Sequence, residues 1–292
     1  MAEICVVHLV RSQNGVEPFK FFLDSYFKNP GGIHHDLLII YKGFSDKREV
    51  TKYDRLLRDQ PHHSLFVSDW GFDIRPYFVA VGKFNYKYYC FLNSFSVILD
   101  KEWLAKMHKH ISNKDVGIVG ATGSYESLYT DSVNIYKKNL PLCKRSIIKA
   151  WARLLKFYFD PFPNYHVRTN AFIISGDIML ALRHRHPRIK MEAWLLESGK
   201  NSITKQIIKM NKRALVVGKD GIGYEKEDWI KSNTFWQGEQ TNLLISDNQT
   251  NNYLYGDIEK RRSLSRHAWG PKFAEKQDDT CSDIPQINRD RK

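Results

Sequence analysis

The sequence predicts an α/β fold: an open, twisted, mostly parallel sheet flanked by helices. Short apolar runs rich in β-branched residues alternate with amphipathic helical stretches through the first 125 residues. Strands that read as continuous apolar runs are buried on both faces, and the helices that join them provide the cover. With 292 residues, 42% of them hydrophobic, the chain can bury a core of this kind.

Five strands are expected in the first part of the chain, with helices between them. Phe19, Phe22 and Tyr26 recur at helical spacing and predict the first helix. Asp46 and Asp73 are the predicted N-caps of the next two helices, and a further helix is expected around Trp103. The predicted strands are residues 4–10, 37–41, 65–67, 88–92 and 116–119.

The second half of the chain is less regular. We interpret residues 1–270 as one domain with a nucleotide-binding half, 1–125, and an acceptor-binding half, 126–270. Residues 271–292 are polar and lack periodicity, which predicts a flexible tail. The elements expected after residue 126 are a basic helix at 144–158, strands at 171–175 and 214–218, and helices that end near 186 and that cover 203–210 and 253–265.

Composition excludes several classes of protein. There are 45 Lys and Arg against 32 Asp and Glu, a formal net charge of +13, which suits nucleic acid, an anionic membrane or an anionic small molecule. The four cysteines form no C-x-x-C pair, so neither a zinc site nor a disulfide framework is indicated. No apolar run is long enough to span a bilayer, and the N-terminus does not resemble a signal peptide. We therefore expect a cytoplasmic protein, either soluble or peripheral to the membrane.

Polar residues follow each predicted strand, where an open parallel sheet places its ligand crevice. They include Arg11 and Asn14 after the first strand, Lys42 after the second, and Asn93 and Ser94 after the fourth. Two cations in the crevice suit an anionic ligand such as a nucleotide diphosphate. Polar loops at strand ends are an equally available interpretation. No G-x-x-x-x-G-K-[ST] or G-x-G-x-x-G motif is present after the first strand.

Eight blocks of the sequence carry a further signal. They are HLVRSQNG (8–15), IIYKGF (39–44), DWGFDIRPY (69–77), FLNSFSVIL (91–99), VGIVGATGSYES (116–127), HVRTNAF (166–172), ESGKNSIT (197–204) and FWQGEQTNLLISDNQT (235–250). Their order and spacing resemble the GT-A-fold, family 2-like glycosyltransferases of bacterial surface-polysaccharide synthesis, over about residues 4 to 270. The resemblance implies transfer of a sugar from an activated donor, usually a nucleotide sugar, to a saccharide or lipid-linked acceptor.

By this resemblance, Arg11, Asn14 and Lys42 hold the base and ribose of the donor. Asp73 and Tyr77 flank the nucleotide sugar.

The chain departs from the family where an Asp-x-Asp element holds Mg²⁺ or Mn²⁺ against the donor diphosphate. The matching stretch begins with Asn93 and Ser94 and carries no carboxylate, so the sequence assigns no metal ligand there. Three explanations stay open: a metal held by another acid such as Asp69 or Asp247, a metal-free site neutralised by Arg and Lys, or a fold without catalysis. We favour an enzyme with weak or no metal dependence.

Two acids are candidates for the general base that an inverting transfer needs. Glu197 is expected just before a helix, where it either deprotonates the acceptor hydroxyl or favours the helix N-terminus. Asp73 is the second candidate.

The expected acceptor-binding residues lie in two blocks. His166, Arg168 and Asn170 concentrate hydrogen-bonding groups before a strand, although His166 also suits a structural role. Asp247 and Asn248 either bind sugar hydroxyls or form an Asx-turn.

The segment 144–158 carries five cations and no acid, with apolar residues at helical spacing. This pattern is typical of a helix at a membrane surface, although the same apolar face could pack on the domain's own core. Alternatives to the enzyme are an inactive GT-A scaffold and, with less support, a nucleic-acid-binding protein; most aromatics fall on predicted inner faces, so we expect no nucleic-acid partner.

Overall fold

The computed structural model describes residues 2–57, 60–136, 141–183, 189–271 and 273. Twelve strands lie within these ranges: β1 Ile4–Arg11, β2 Asp36–Lys42, β3 His63–Val67, β4 Tyr88–Leu92, β5 Val97–Ile98, β6 Val116–Gly120, β7 Gly123–Ser124, β8 His166–Val167, β9 Ala171–Ser175, β10 Arg213–Val217, β11 Gly223–Tyr224 and β12 Ile245–Ser246. Their α-helices are α1 Glu17–Lys28, α2 Lys47–Leu57, α3 Ile74–Lys83, α4 Trp103–Ile111, α5 Leu128–Tyr136, α6 Leu142–Tyr158, α7 Gly176–Ala181, α8 Lys190–Ser198, α9 Ile203–Lys209, α10 Asn248–Leu254 and α11 Ile258–Trp269.

Eight of the strands form one sheet, in the order β11-β10-β6-β9-β4-β1-β2-β3. The neighbours β3, β2, β1 and β4 pair in parallel, as do β6 and β10. Strand β9 runs antiparallel to both β4 and β6. Because β9 is reversed, the residues that precede it lie at the same edge as the residues that follow β4 and β6.

Two apolar clusters cover the faces of this sheet. One contains Leu9, Tyr77 and Phe172, and the other contains Phe19 and Trp103. The central strands β1 and β4 are buried along nearly their whole length, as continuous apolar runs predict. The predicted fold class, an open and mostly parallel α/β sheet flanked by helices, is confirmed.

Some predicted elements differ in the structure. The final helix is two helices, α10 and α11, because Asp247 and Asp257 each accept hydrogen bonds as N-caps and start a new helix. Asp73 occupies the N-cap position of α3, but its side chain makes no capping hydrogen bond. The predicted helix before residue 186 ends at Ala181, and residues 184–188 lie outside the described ranges.

The predicted tail, 271–292, also lies outside the described residues except for Pro271 and Phe273. Within the described ranges, no helix combines the length and the apolar character needed to cross a bilayer.

Candidate functional site

Four charged side chains meet at the carboxyl ends of β1, β2 and β3. Arg11 and Lys42 are register partners at the ends of neighbouring strands. Arg11 binds Asp69 through two hydrogen bonds, of 2.9 and 3.1 Å. The Lys42 ammonium lies 3.7 Å from Asp69 and 3.9 Å from Asp73. We call these residues, Arg11, Lys42, Asp69 and Asp73, the four-charge cluster.

A glycine makes this close approach possible. Gly43 follows β2 with a φ of +77°, and a Cβ atom there would lie 2.9 Å from the Cβ of Asp69. Any larger residue at position 43 would therefore push Asp69 away from its partners.

The four-charge cluster is neutral, with two cations and two carboxylates. Lys42 is buried, with 1% of its side chain exposed, and its ammonium also donates to the Gly71 carbonyl at 2.7 Å. Asp69 and Asp73 are 33% and 52% exposed. Neighbouring carboxylates therefore pair with both cations that the sequence suggested for an anionic ligand, and these carboxylates reach solvent.

The pKa shifts agree with this arrangement. The hydrogen bond from Arg11 lowers the pKa of Asp69. Loss of solvent in the cleft raises the pKa of Asp73 although Lys42 and Arg11 oppose the shift, and Glu197 contributes to the rise.

The structure separates the remaining donor-side candidates. Arg11, Asn14 and Ser94 line one small cavity at the end of β1, next to the buried His8. Tyr77 lies in the core instead, with its ring centre 4.5 Å from that of Phe91.

The turn after β4 does not fit a divalent cation. Asn93 Oδ1 already accepts hydrogen bonds from the Phe95 amide at 3.1 Å and the Ser96 hydroxyl at 3.0 Å. Ser94 is buried, and its hydroxyl has no hydrogen-bond partner among the described residues. A dication prefers charged oxygen ligands, and this turn supplies none.

A second cavity, of about 270 Å³, lies beside α8, and we call it the α8 pocket. It is mostly polar but contains three aromatic rings. Its lining residues are Glu126, Leu128, His166, Arg168, Trp194, Glu197, Ser198, Phe235, Trp236, Gln249 and His267.

Glu197 lies in the last turn of α8, not before a helix as the sequence had predicted. A carboxylate there is placed against the negative end of the helix dipole, so the capping alternative is wrong. Its Oε1 accepts from the Thr169 amide at 2.9 Å and the Thr169 hydroxyl at 3.0 Å. Among the residues that the structure describes, none donates to Oε2. Glu197 is therefore held by one oxygen and offers the other to the pocket.

Arg168 and Asp247 form a buried ion pair at the pocket wall. Arg168 Nη2 lies 3.0 Å from Asp247 Oδ2, and the guanidinium stacks 4.0 Å above the Phe235 ring. Asp247 Oδ1 accepts from two backbone amides at the start of α10. Asp247 is therefore a structural cap with both oxygens occupied, which favours the Asx-type alternative over a direct sugar contact. Asn248 is exposed on α10.

His166 and Asn170 are both buried, and they differ in which side-chain atoms are already hydrogen-bonded. His166 Nδ1 bonds to the Asn164 carbonyl at 2.8 Å, while the ring lines the α8 pocket. Asn170 Oδ1 accepts from the Thr122 hydroxyl at 2.7 Å, and its Nδ2 has no partner within the described ranges.

A polar chain links the two parts of the site. The Asn93 amide donates to the Asn170 carbonyl at 2.8 Å, and Arg168 Nη1 lies 3.4 Å from the Thr122 hydroxyl. The turn after β4 is thus connected through Asn170 and Thr122 to the wall of the α8 pocket.

A histidine between two acids closes the pocket. His267 Nε2 lies 2.9 Å from Glu126 Oε1, and Nδ1 lies 3.3 Å from Asp131 Oδ1. Burial lowers the pKa of His267, but the bonds to Asp131 and Glu126 outweigh it and raise this pKa to about 10. Among described residues, these three form a group whose ligand atoms are close enough for one metal ion. As a protonated imidazole cannot ligate, a metal would first have to displace that proton.

Sequence reasoning missed Glu126, His267 and the aromatic residues of the pocket. Glu126 belongs to the block 116–127 but follows the strand predicted there, so it is not selected as a strand-end residue. The sequence around His267 contains no motif that marks it as a site residue. Their importance comes from contacts between distant segments.

No protein-family model matches the sequence, and no curated protein does. The fold is similar to a Pyrobaculum calidifontis mannosyltransferase solved with GDP-Man and Mn²⁺, at TM-score 0.47 and 11% identity over 98% of this chain and 76% of that one. It is also similar to Staphylococcus aureus TarS, with a TM-score of 0.45 and 11% sequence identity; the match covers 98% of this chain and 46% of TarS. A 4-diphosphocytidyl-2C-methyl-D-erythritol synthase from Anaerococcus prevotii matches with a TM-score of 0.41 and 12% sequence identity, over 78% of this chain and 95% of the synthase. Since these TM-scores lie below 0.5, assigning a function rests on this chain's own residues.

Proposed function

We propose that this protein is a glycosyltransferase that moves a sugar from an activated, nucleotide-linked donor to a hydroxyl of a saccharide or lipid-linked acceptor. The observation that carries the proposal is Glu197, a carboxylate fixed by Thr169 through one oxygen and open to the α8 pocket through the other. A positioned carboxylate of this kind can act as a general base.

The reaction is an inverting displacement. Glu197 takes the proton of the acceptor hydroxyl, the hydroxyl oxygen forms a bond to the anomeric carbon, and the bond from that carbon to the donor phosphate breaks. The nucleotide leaves with the electron pair. Asp73, on the other side of the cleft, is the second acid that can accept a proton or accept a hydrogen bond from a sugar hydroxyl.

The donor lies over the carboxyl ends of β1 and β2. Arg11, Asn14 and Ser94 surround a gap too small to hold a ligand, so they do not enclose the nucleoside. The solvent-facing carboxylates of Asp69 and Asp73 accept hydrogen bonds from ribose or sugar hydroxyls. This assignment gives the four-charge cluster a role in binding hydroxyls rather than phosphate.

The acceptor enters the α8 pocket. Trp194, Phe235 and Trp236 line its wall, with Trp194 the least buried of the three, and His166, Arg168 and Glu197 line it with polar groups. A saccharide presents both surfaces, since its ring hydrogens are apolar and its rim carries hydroxyls.

If the reaction uses Mg²⁺ or Mn²⁺, Glu126, Asp131 and His267 would hold it, since the turn at Asn93 and Ser94 does not fit a dication. Glu126 and His267 line the α8 pocket, so a metal there would lie on the acceptor side of the site and would polarise a bound acceptor hydroxyl. We expect weak metal dependence, because the three groups already satisfy one another.

Thermal-shift measurements with UDP-, GDP-, CMP- and dTDP-sugars, each with and without Mn²⁺, test the proposal. We expect one donor class to raise the melting temperature, because a ligand that binds only the folded state stabilises it. Absence of a shift with every donor, under both conditions, would count against a nucleotide-sugar transferase.

A further inference from the structure

Helix α6 stands on the surface with most of its circumference in solvent. Only Ala152 and Leu155 of its described side chains are buried. Four apolar side chains recur at intervals of four, three and four residues and form one exposed stripe. They are Ile147 at 70% exposure, Trp151 at 44%, Leu154 at 44% and Tyr158 at 45%. The alternative that this apolar face packs on the protein's own core is therefore wrong for these four residues.

The exposed apolar surface continues beyond this stripe. Phe157 is 76% exposed on α6, and Ile189 before α8 is 60% exposed. Ile189, Met191 and Leu195 face Leu154 and Tyr158 across a groove of about 710 Å³. Isolated exposed apolar residues are ordinary, but a continuous patch of this kind marks an interaction surface.

Positive charge lies at the edges of the exposed apolar surface of α6 and on the opposite side of the helix. At 3.6 residues per turn, Lys144 and Arg153 fall at the edges, and Arg145, Lys149 and Lys156 fall on the far side. Five cations on α6 are exposed: Lys144, Arg145, Lys149, Arg153 and Lys156. The segment 143–159 contains no acidic residue, and within the described residues no carboxylate pairs with any of the five. In contrast to the four-charge cluster, the positive charge of this helix is not neutralised by a carboxylate among the described residues.

We infer that α6, together with Ile189, docks on the surface of an anionic lipid bilayer. An exposed apolar stripe with Trp and Tyr enters the headgroup region, and Lys144 and Arg153 at its edges pair with anionic lipids. Helix α8, which carries Glu197, forms the other wall of the groove. Docking through this surface brings the α8 pocket to a lipid-linked acceptor. That last step rests on the proposed function, whereas bilayer binding does not.

Vesicle co-sedimentation tests the inference without any assay of sugar transfer. We expect the protein to bind vesicles of phosphatidylcholine and phosphatidylglycerol, and to bind pure phosphatidylcholine far less. The exposed-face variant Trp151→Ser/Phe157→Ser should weaken binding at least about tenfold, since it removes two large apolar side chains from the surface. Lys144→Glu and Arg153→Glu should each weaken it at least roughly fivefold and reduce its dependence on salt.

The matched control is Tyr255→Ser/Ile258→Ser, which removes two equally exposed apolar side chains, 81% and 75%, outside this surface. It should bind like the unaltered chain, and circular dichroism and melting temperature should show that all variants fold. Failure of the unaltered chain to bind anionic vesicles, or equal losses in the control, would overturn the inference. So would a dimer in sedimentation velocity that Trp151→Ser/Phe157→Ser dissociates, because the surface would then join two copies. Donor-induced thermal shifts report separately on the proposed function.

Discussion

The four-charge cluster and the α8 pocket both pair cations with acids, but they bury opposite partners. In the cluster the buried member is a cation, Lys42, and its acids reach solvent. In the pocket the buried member is an acid, Asp247 at 1% exposure, and Arg168 covers it. The more exposed member of each pair decides what the region offers a ligand. The cluster offers carboxylate oxygens, and the pocket offers the Arg168 guanidinium beside aromatic rings.

This difference also separates structural from chemical roles. Asp247 has both oxygens occupied and Lys42 is enclosed, so each stabilises the site from within. Glu197 and Asp73 keep oxygen atoms available at the cleft. The proposed chemistry therefore falls to two carboxylates with an oxygen open to the cleft: Glu197, which Thr169 holds, and Asp73, which is half exposed.

The largest expected effect is on turnover. Glu197→Gln should keep the hydrogen bonds from Thr169 but lose the base, lowering kcat about 10²- to 10⁴-fold with the donor found by thermal shift. Glu259→Gln, an exposed acid on α11, is the control and should retain full activity. A folded Glu197→Gln protein with normal turnover would exclude the base.

The next effect is on stability in the pocket. Arg168→Met should lower the free energy of unfolding by about 3 kcal/mol, because it leaves Asp247 charged and buried without its partner. Urea denaturation measures this loss. Adding Asp247→Asn to the variant should recover part of it, and a single-variant loss below about 1 kcal/mol would show that the pair is not effectively buried.

A smaller loss of unfolding free energy is expected for a substitution in the four-charge cluster. Lys42→Met preserves the buried volume and removes the hydrogen bond to Gly71, so it should cost about 1 kcal/mol. Asp69 keeps Arg11, and Asp73 is half exposed, so neither acid becomes a buried unpaired charge. A cost in urea denaturation as large as that of Arg168→Met would contradict the contrast between the two regions.

The smallest expected effect depends on pH. It is small because His267, Glu126 and Asp131 are 36%, 29% and 25% exposed and solvent weakens their ion pairing. A folded-state pKa of His267 near 10, above the ordinary 6.5, stabilises the protein fully below about pH 6.5, and this contribution is lost as pH rises toward 10. The groups that face it are Glu126 and Asp131. The melting-temperature difference between the unaltered chain and His267→Gln should therefore shrink by a few degrees between pH 6.5 and 10. A difference that is constant over this range would show that His267 is not charged in the fold.

Much of the framework could be predicted from the sequence. Strands β1, β2, β4 and β9 fall within one residue of their expected bounds, because buried strands leave uninterrupted apolar runs. The placement of Arg11, Lys42 and Asp73 at one edge follows from parallel pairing alone. Helix α8 could not be placed, since its weak amphipathic pattern left Glu197 outside it.

The sequence by itself determined the sheet, its helical cover and the polar edge, because these depend on local periodicity and on the rule that parallel strands end together. It also determined that one helix carries five cations without an acid. Only the tertiary structure decided which charges are available. Arg11 and Lys42 meet acids 58 and 31 residues away and are neutralised, Arg168 meets Asp247 across 79 residues, and α6 meets none within the described chain. Pairing of charges is a property of distance in space, which no local pattern encodes.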